Sequence, residues 1–269
     1  MANIHSSAVI HKKADLDRDV TVGPNCVIEK EVSIGPGTVL EANVVINKDV
    51  QIGRDNHFFP NCTIGSIPQI LGLAPEVKIG GLVIGDGNVI REQVTIHPSI
   101  YPQEFTKIGN DNLLMIGVHI GHDCILEDKI VMSNFTQLSG HCKIETGAWL
   151  SGMVLLHQFI TIGKWSYAAG MAGINHDIPP FLIVSGHYPP MIRGVNKRGL
   201  VRAGLNEEQQ KKIFEAYKRL YRQKGALREN AKALAAEDWP DENVRAIIDA
   251  ILKSSEQRFG RYLEQFRKN

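Results

Sequence analysis

From Ile4 onward every sixth residue is apolar: Ile10, Leu16, Val22, Ile28, Ile34, Leu40, Ile46, Ile52, Phe58 and Ile64 follow without a miss. The beat slips by two across "SIPQILGLAPEVKIGGLV" and resumes at Ile84. It then runs through Ile90, Ile96, Ile108, Leu114, Ile120, Leu126, Met132, Leu138, Ile144, Leu150, Leu156, Ile162 and Ala168 to Ile174, skipping only Pro102 in "PSIYPQEF". A period of six is neither the 3.6 of a helix nor the alternation of an ordinary strand, so it predicts short strands joined by repeated tight turns. Three hexads close one triangular coil of about 18 residues, with the beat residue pointing inward. Coils of this kind stack about 4.8 Å apart, each burying its apolar edge on the next. The expected fold is a parallel β-helix, whose hand the period alone leaves open.

Smaller features fall into the same frame. Gly follows the beat directly at Gly23, Gly35, Gly53, Gly65, Gly85, Gly109, Gly121 and Gly163, where a turn is expected. Cys26, Cys62, Cys124 and Cys142 each stand four places after a beat residue, a place for small inward side chains, so they read as packing rather than as disulfides or ligands.

The beat stops at Ile174 in the Pro-rich "NHDIPPFLIVSGHYPP". Beyond it, "NEEQQKKIFEAYKRLYR" offers Asn206 as a cap, Gln209 at the third helical position, and Ile213, Phe214, Tyr217, Leu220 and Tyr221 on one face. Helical patterning continues in "LRENAKALAAED" and "DENVRAIIDAILKSSEQRFGRYLEQFR", broken at Gly225 and Pro240. The chain therefore divides into an all-β solenoid over 1–192, with loops near 66–82 and 98–106, and a small helical domain over 193–269.

Composition narrows the class. With 269 residues, 43% hydrophobic content and a formal charge of +1, the chain reads as a globular protein that needs neither nucleic acid nor an anionic membrane as partner. No stretch approaches the roughly 18 apolar residues of a spanning helix, and the N-terminal segment lacks a signal-peptide core. A cytoplasmic location without membrane insertion is expected.

The repeat also assigns addresses to the histidines. Ile120, Leu138 and Leu156 share one face of three successive coils, and His122, His141 and His157 lie one to three places past them. Three imidazoles are thus expected near one corner, with His119 and Asp123 flanking the same turn, Gln158 after His157, and Gly140 before His141. An imidazole beside a carboxylate is a general base, with Asp123 as the group that holds its tautomer. The Gly140 amide is a candidate oxyanion donor. No serine or cysteine nucleophile stands out, which predicts direct transfer between two bound substrates without a covalent intermediate. His5, His11, His57, His97, His176 and His187 read as structural.

Taken together, the hexads, "IREQVTIH", "IGNDNLLMIGVHIGHDC", "LSGH", "VLLHQF", "HDIPP" and "GVNKRGL" resemble the UDP-N-acetylglucosamine O-acyltransferases that begin lipid A biosynthesis. The resemblance implies a left-handed parallel β-helix with a C-terminal α-helical domain, and a homotrimer with active sites between subunits. It implies transfer of an R-3-hydroxyacyl group from acyl carrier protein to the 3-hydroxyl of UDP-N-acetylglucosamine. It makes His122 the base, Asp123 its orienting partner and Gly140 the oxyanion donor. His119, His141, His157, Gln158 and Gln69 become substrate contacts, Asn196 and Arg202 match positions that hold the nucleotide, and Gly170 matches the position that limits acyl length. No cofactor and no metal are expected. Between Ile178 and Asn206 there is no acidic residue but there are Arg193, Lys197, Arg198 and Arg202, a positive stretch suited to a diphosphate or an acidic carrier protein.

Two departures keep the sugar nucleotide open. Ile70 and Gly72 replace an Asp and a Lys that usually follow the loop Gln, and "NKRGLVRAG" carries Arg198 for Glu and Ala203 for Arg. Another UDP-sugar, such as one with an amine at the 3-position, is the nearest alternative. A zinc enzyme resembling the gamma-type carbonic anhydrases, with His119, His122 and His141 as ligands, is a more distant one. A non-enzymatic solenoid would not need histidines in register.

Overall fold

The computed structural model describes residues 2–73, 77–237, 239 and 241–267. Pro240, where a helix break is expected, lies outside them. The strands, mostly two residues long, form three sheets of 11, 9 and 8 strands that make the faces of a prism. Pairing is parallel except for one antiparallel ribbon, Leu182–Ser185 with Met191–Val195, at the C-terminal end. This is the parallel β-helix that the period of six predicts.

Beat pairs with beat: Ile10 lies against Ile28, Ile120 against Leu138, and Leu138 against Leu156. From Val22 to Ile174 these side chains form one continuous buried column, and the four cysteines are buried free thiols within it. Ile4 is the contrast at 46% exposed, because the first coil is covered from one side only.

Left-handed backbone falls three places after the beat, at Asn25, Asn43, Asn61, Asp123, His141 and Phe159 among others, with φ between 58° and 65°. The glycines directly after the beat, apart from Gly65 at φ 79°, have another cause. Gly121 is not left-handed; a Cβ there would lie 2.8 Å from the Gly140 amide nitrogen of the next coil. Close approach of stacked backbone, rather than the turn itself, excludes a side chain.

Two excursions leave the stack. The first, between Thr63–Ile64 and Gly81–Ile84, lengthens the spacing of stacked residues from 18 to 32; the second, between Thr95–Ile96 and Phe105–Ile108, lengthens it to 24. They meet where the Gly80 N–H donates to the Ser99 carbonyl and the Ser99 N–H donates to that of Gly81.

Among the described residues four α-helices follow, α1 (Lys197–Arg202), α2 (Glu207–Tyr221), α3 (Leu227–Ala235) and α4 (Glu242–Ser255), and then a 3-10 turn, Tyr262–Phe266. The capping box expected at α2 is present, Asn206 accepting from the Gln209 N–H while the Gln209 side chain accepts from that of Asn206. Ile213, Leu220, Leu234, Val244, Ile247 and Ile251 bury a second core that also takes in Phe181 and Leu182. Each such side chain contributes roughly 1.5–3 kcal/mol on burial. Asp177 ties the end of the chain to the solenoid, accepting from the Thr161 and Tyr262 amides at 2.7 and 2.8 Å; burial pushes its carboxyl up to about 6.

Candidate active site

The strand His119–Ile120 leads into a corner whose next three residues are Gly121, His122 and Asp123. His122 is 8% exposed, and its Nδ1 lies 2.7 Å from Asp123 Oδ2. A carboxylate only accepts, so Nδ1 carries the proton and Nε2 presents its lone pair. The ring packs against Gly140 on the next coil, where a Cβ would stand 2.5 Å from Cε1 and 2.6 Å from Nε2. Glycine at 140 thus makes room for the imidazole, a requirement beyond the backbone role expected of it.

Asp123 is held from all sides. Its Oδ2 also accepts from the Ile100 N–H, its Oδ1 from the Ser99 hydroxyl, and its own N–H donates to Thr106 Oγ1. Burial pushes the carboxyl up, but the hydrogen bonds from His122 and Ser99 and the nearness of His141 outweigh it and hold it below the usual range. His141 occupies the same left-handed address one coil on, its ring 4.9 Å from that of His122 and stacked on Phe159 of the following coil at 4.4 Å. Burial pushes His141 down, opposed by Asp123.

A cleft of about 210 Å³ opens beside the base, lined by Gln69, His97, His119, Gly121, His122, Ser139, Gly140 and Gln158. His119 Nδ1 meets Thr95 Oγ1 at 2.8 Å; burial, with His97 and His122 adding, pushes its imidazole down to about 4. It therefore stands neutral at physiological pH. The Gly140 N–H, unlike the adjacent amides of Ser139 and His141, donates to no group among the described residues. At the corner after the third sheet the equivalent amides are closed by side chains, Arg54 by Asp86, Asp86 by Asn110 and Asn110 by Asp128. An open amide above a general base is a place for an oxyanion.

Larger hollows of about 360 and 490 Å³ lie where the helices meet the last coils. Among their lining groups, Lys143 pairs with Glu127 and Glu145, Lys164 donates to Asn243 Oδ1, and Asp177 holds two backbone amides. The smaller cleft is the one with chemistry. His122, Asp123 and His141 also form a compact group of metal-ligating types. Its 2.7 Å Nδ1–Oδ2 separation, however, is a hydrogen bond, shorter than the roughly 3.3 Å between two ligands on one tetrahedral zinc.

The family model described as "Udp N-acetylglucosamine O-acyltransferase; Domain 2" matches residues 177–260. An acyl-[acyl-carrier-protein]–UDP-N-acetylglucosamine O-acyltransferase of Herminiimonas arsenicoxydans is 41% identical over 239 residues, 88% of this chain and 90% of its own length. That of Gloeothece citriformis is also 41% identical, over 73% of this chain and 69% of its own. The chain belongs to the UDP-N-acetylglucosamine O-acyltransferase family. The solved enzyme of Francisella novicida superposes with a TM-score of 0.89 at 36% identity, covering 96% of this chain and 92% of its own.

The structure brings Gln69, His119, His122, Gly140 and Gln158 into one cleft, with Asp123 and His141 directly behind. His157 stands outside that lining. It lies one place past the beat rather than two or three, is exposed, and donates from Nδ1 to the Gln158 carbonyl at 3.2 Å. The expected column of three histidines is therefore a contacting pair, His122 and His141. Gly170 is exposed at the neighbouring corner, three coils along, where a Cβ would come no nearer than 3.4 Å to the Gly152 carbonyl oxygen. Asn196 is buried as the cap of α1, accepting from the Gly199 N–H and donating to the Trp165 carbonyl. Arg202, at the other end of α1, lies 4.8 Å over the Trp149 ring.

His97 is the cleft residue that sequence reasoning assigns to structure. It is 5% exposed, donates from Nδ1 to the Ser66 carbonyl at 2.8 Å, and leaves Nε2 without a partner among the described residues. The signal for it is the register of Ile96 with Ile120, which gives His97 the address of Gly121. It is hidden because the second excursion stretches that spacing from 18 to 24.

Proposed function

We propose that this chain transfers an R-3-hydroxyacyl group from acyl carrier protein to the 3-hydroxyl of UDP-N-acetylglucosamine, the first step of lipid A biosynthesis. The observation that carries the reading is the His122–Asp123 dyad, its imidazole packed against Gly140, whose N–H is open among the described residues. His122 takes the proton of the sugar hydroxyl as that oxygen attacks the thioester carbonyl. The Gly140 N–H receives the oxyanion, and the imidazolium, steadied by Asp123, returns its proton to the departing carrier thiolate. Gln69, His119, His141, His157 and Gln158 orient the two substrates around this point. Asn196 places α1 so that Arg202 meets the diphosphate, and Gly170 leaves space for the distal acyl carbons.

Support for a homotrimer comes from the size of the cleft. At about 210 Å³ it is below the roughly 300–1,000 Å³ of a small-molecule site, as fits one wall coming from a second copy. No described helix is long and apolar enough to cross a membrane, and both proposed substrates are carried in the cytoplasm, where we place the protein. The test is incubation with 3-hydroxyacyl carrier thioesters of graded length and a panel of UDP-sugars. Acylated UDP-N-acetylglucosamine is the expected product. Transfer only to a 3-amino sugar would replace the acceptor, and no transfer to any UDP-sugar would overturn the reading.

A further inference from the structure

Asp123 reaches His122 with one carboxylate oxygen, and the other is taken by a residue from outside the hexad repeat. Ser99, fully buried in the second excursion, sets its Oγ 2.5 Å from Asp123 Oδ1. Ser99 Oγ accepts the Tyr101 N–H at 3.0 Å, and its one proton goes to the nearer and charged acceptor, Asp123 Oδ1, rather than to the Tyr101 carbonyl at 3.3 Å. Ser99 is itself fixed at both backbone ends, by the Gly80 amide and the Gly81 carbonyl. A Cβ at Gly80 would stand 2.9 Å from that of Ser99, so the first excursion is packed against it.

We infer that Ser99 is a positioning residue for acyl transfer, a hydroxyl supplied by the second excursion that locks the Asp123 carboxylate in the orientation that holds His122. The inference rests on the assignment of His122 as base. It makes the unit His122–Asp123–Ser99, in which two members come from one coil corner and the third from a loop. Without the hydroxyl, the one hydrogen bond left to the carboxylate among the described residues besides that of His122 is the Ile100 N–H at 3.3 Å, with His141 Nε2 3.9 Å away. The bond from Ser99 also helps to hold Asp123 below the usual carboxylate range, together with His122 and His141. The other charged groups around this unit are Glu104 and Arg267, which act on His141, and His97 and His119 on the cleft side.

Removing an outer-shell partner of this kind costs about tenfold or more in turnover. Ser99→Ala is expected to lower kcat about tenfold while KM for both substrates stays within about twofold, since Ser99 touches neither. The Asp123 carboxyl is expected to protonate at higher pH, because its charged form has lost a hydrogen-bond donor. Ser99→Thr, which keeps the hydroxyl, should return both. A substrate-free reading comes from the 13C resonance of the Asp123 carboxyl, assigned with Asp123→Asn and followed through pH. Its midpoint should rise in Ser99→Ala. If the wild type transfers no acyl group, the proposed function falls and the carboxyl titration still decides the role of Ser99. An unmoved midpoint, or a loss carried by KM, would overturn the inference. Should Ser99→Ala not fold, Ser99→Cys, which keeps the volume and weakens the donor, is judged by the same titration.

Discussion

Two corners of this solenoid share one backbone and differ in what they do with it. At the first, Asn25, Asn43 and Asn61 sit at φ 58–65°, one coil apart, and join into a ladder: Asn25 Nδ2 donates to Asn43 Oδ1 and Asn43 Nδ2 to Asn61 Oδ1, each at 3.3 Å. At the second, Asp123, His141 and Phe159 occupy the same address with the same φ, also one coil apart. Asparagine tolerates left-handed backbone and satisfies its copy above and below, so the first corner closes on itself along the axis. In the second, hydrogen-bonding capacity is turned sideways, from Asp123 to His122 and Ser99. Phe159 holds a left-handed conformation that costs a bulky residue about 1–2 kcal/mol and presents its ring to His141. A repeat supplies positions; whether a position knits the stack or does chemistry depends on where its polar atoms are aimed.

The sharpest separation of the two corners is His122→Ala. We expect transfer to fall by at least about 1,000-fold with the melting temperature retained, because the ring lies over the corner rather than in the column of beat residues. Residual turnover close to wild type would erase the distinction. Next comes Gly140→Ala, whose Cβ would strike His122 Cε1 and Nε2; displacement of the base by about 1 Å should cost about 100-fold in kcat. Crystals of that variant with the imidazole unmoved would contradict the steric account.

Acid should distinguish the corners more gently. His119 carries an ordinary value of 6.5 when unfolded and about 4 when folded, so the stability it contributes is full above 6.5 and is lost as pH falls toward 4. His119→Asn should therefore flatten the decline of melting temperature with acid in that window. The asparagine ladder has no titrating group, and Asn43→Gly should leave both that slope and turnover unchanged. Its expected effect is the smallest, about 0.5–1 kcal/mol from the two exposed hydrogen bonds, read by denaturant unfolding.

Much of this arrangement is legible without coordinates, because a strict period converts residue number into angle. His122 and His141 contact each other because Ile120 and Leu138 pair beat to beat. The same arithmetic puts His157 in the column, yet His157 stands exposed outside the cleft while His97, at the same address one past the beat, is buried in its lining. His97 escapes it because the second excursion interrupts the count.

The sequence by itself determined the β-helix, the buried row of beat residues, the Asn206 cap of α2 and the pairing of His122 with Asp123, since each depends on neighbours at fixed spacing. Only the tertiary structure decided that His97 and Ser99 join them beside Gln69, which the family resemblance already named. These residues lie in or beside the two excursions, whose path is set by where Gly80 and Ser99 meet rather than by any period. Gly140 belongs to both accounts. Its place follows from the repeat, while its need to be glycine follows from the imidazole that the preceding coil lays against it.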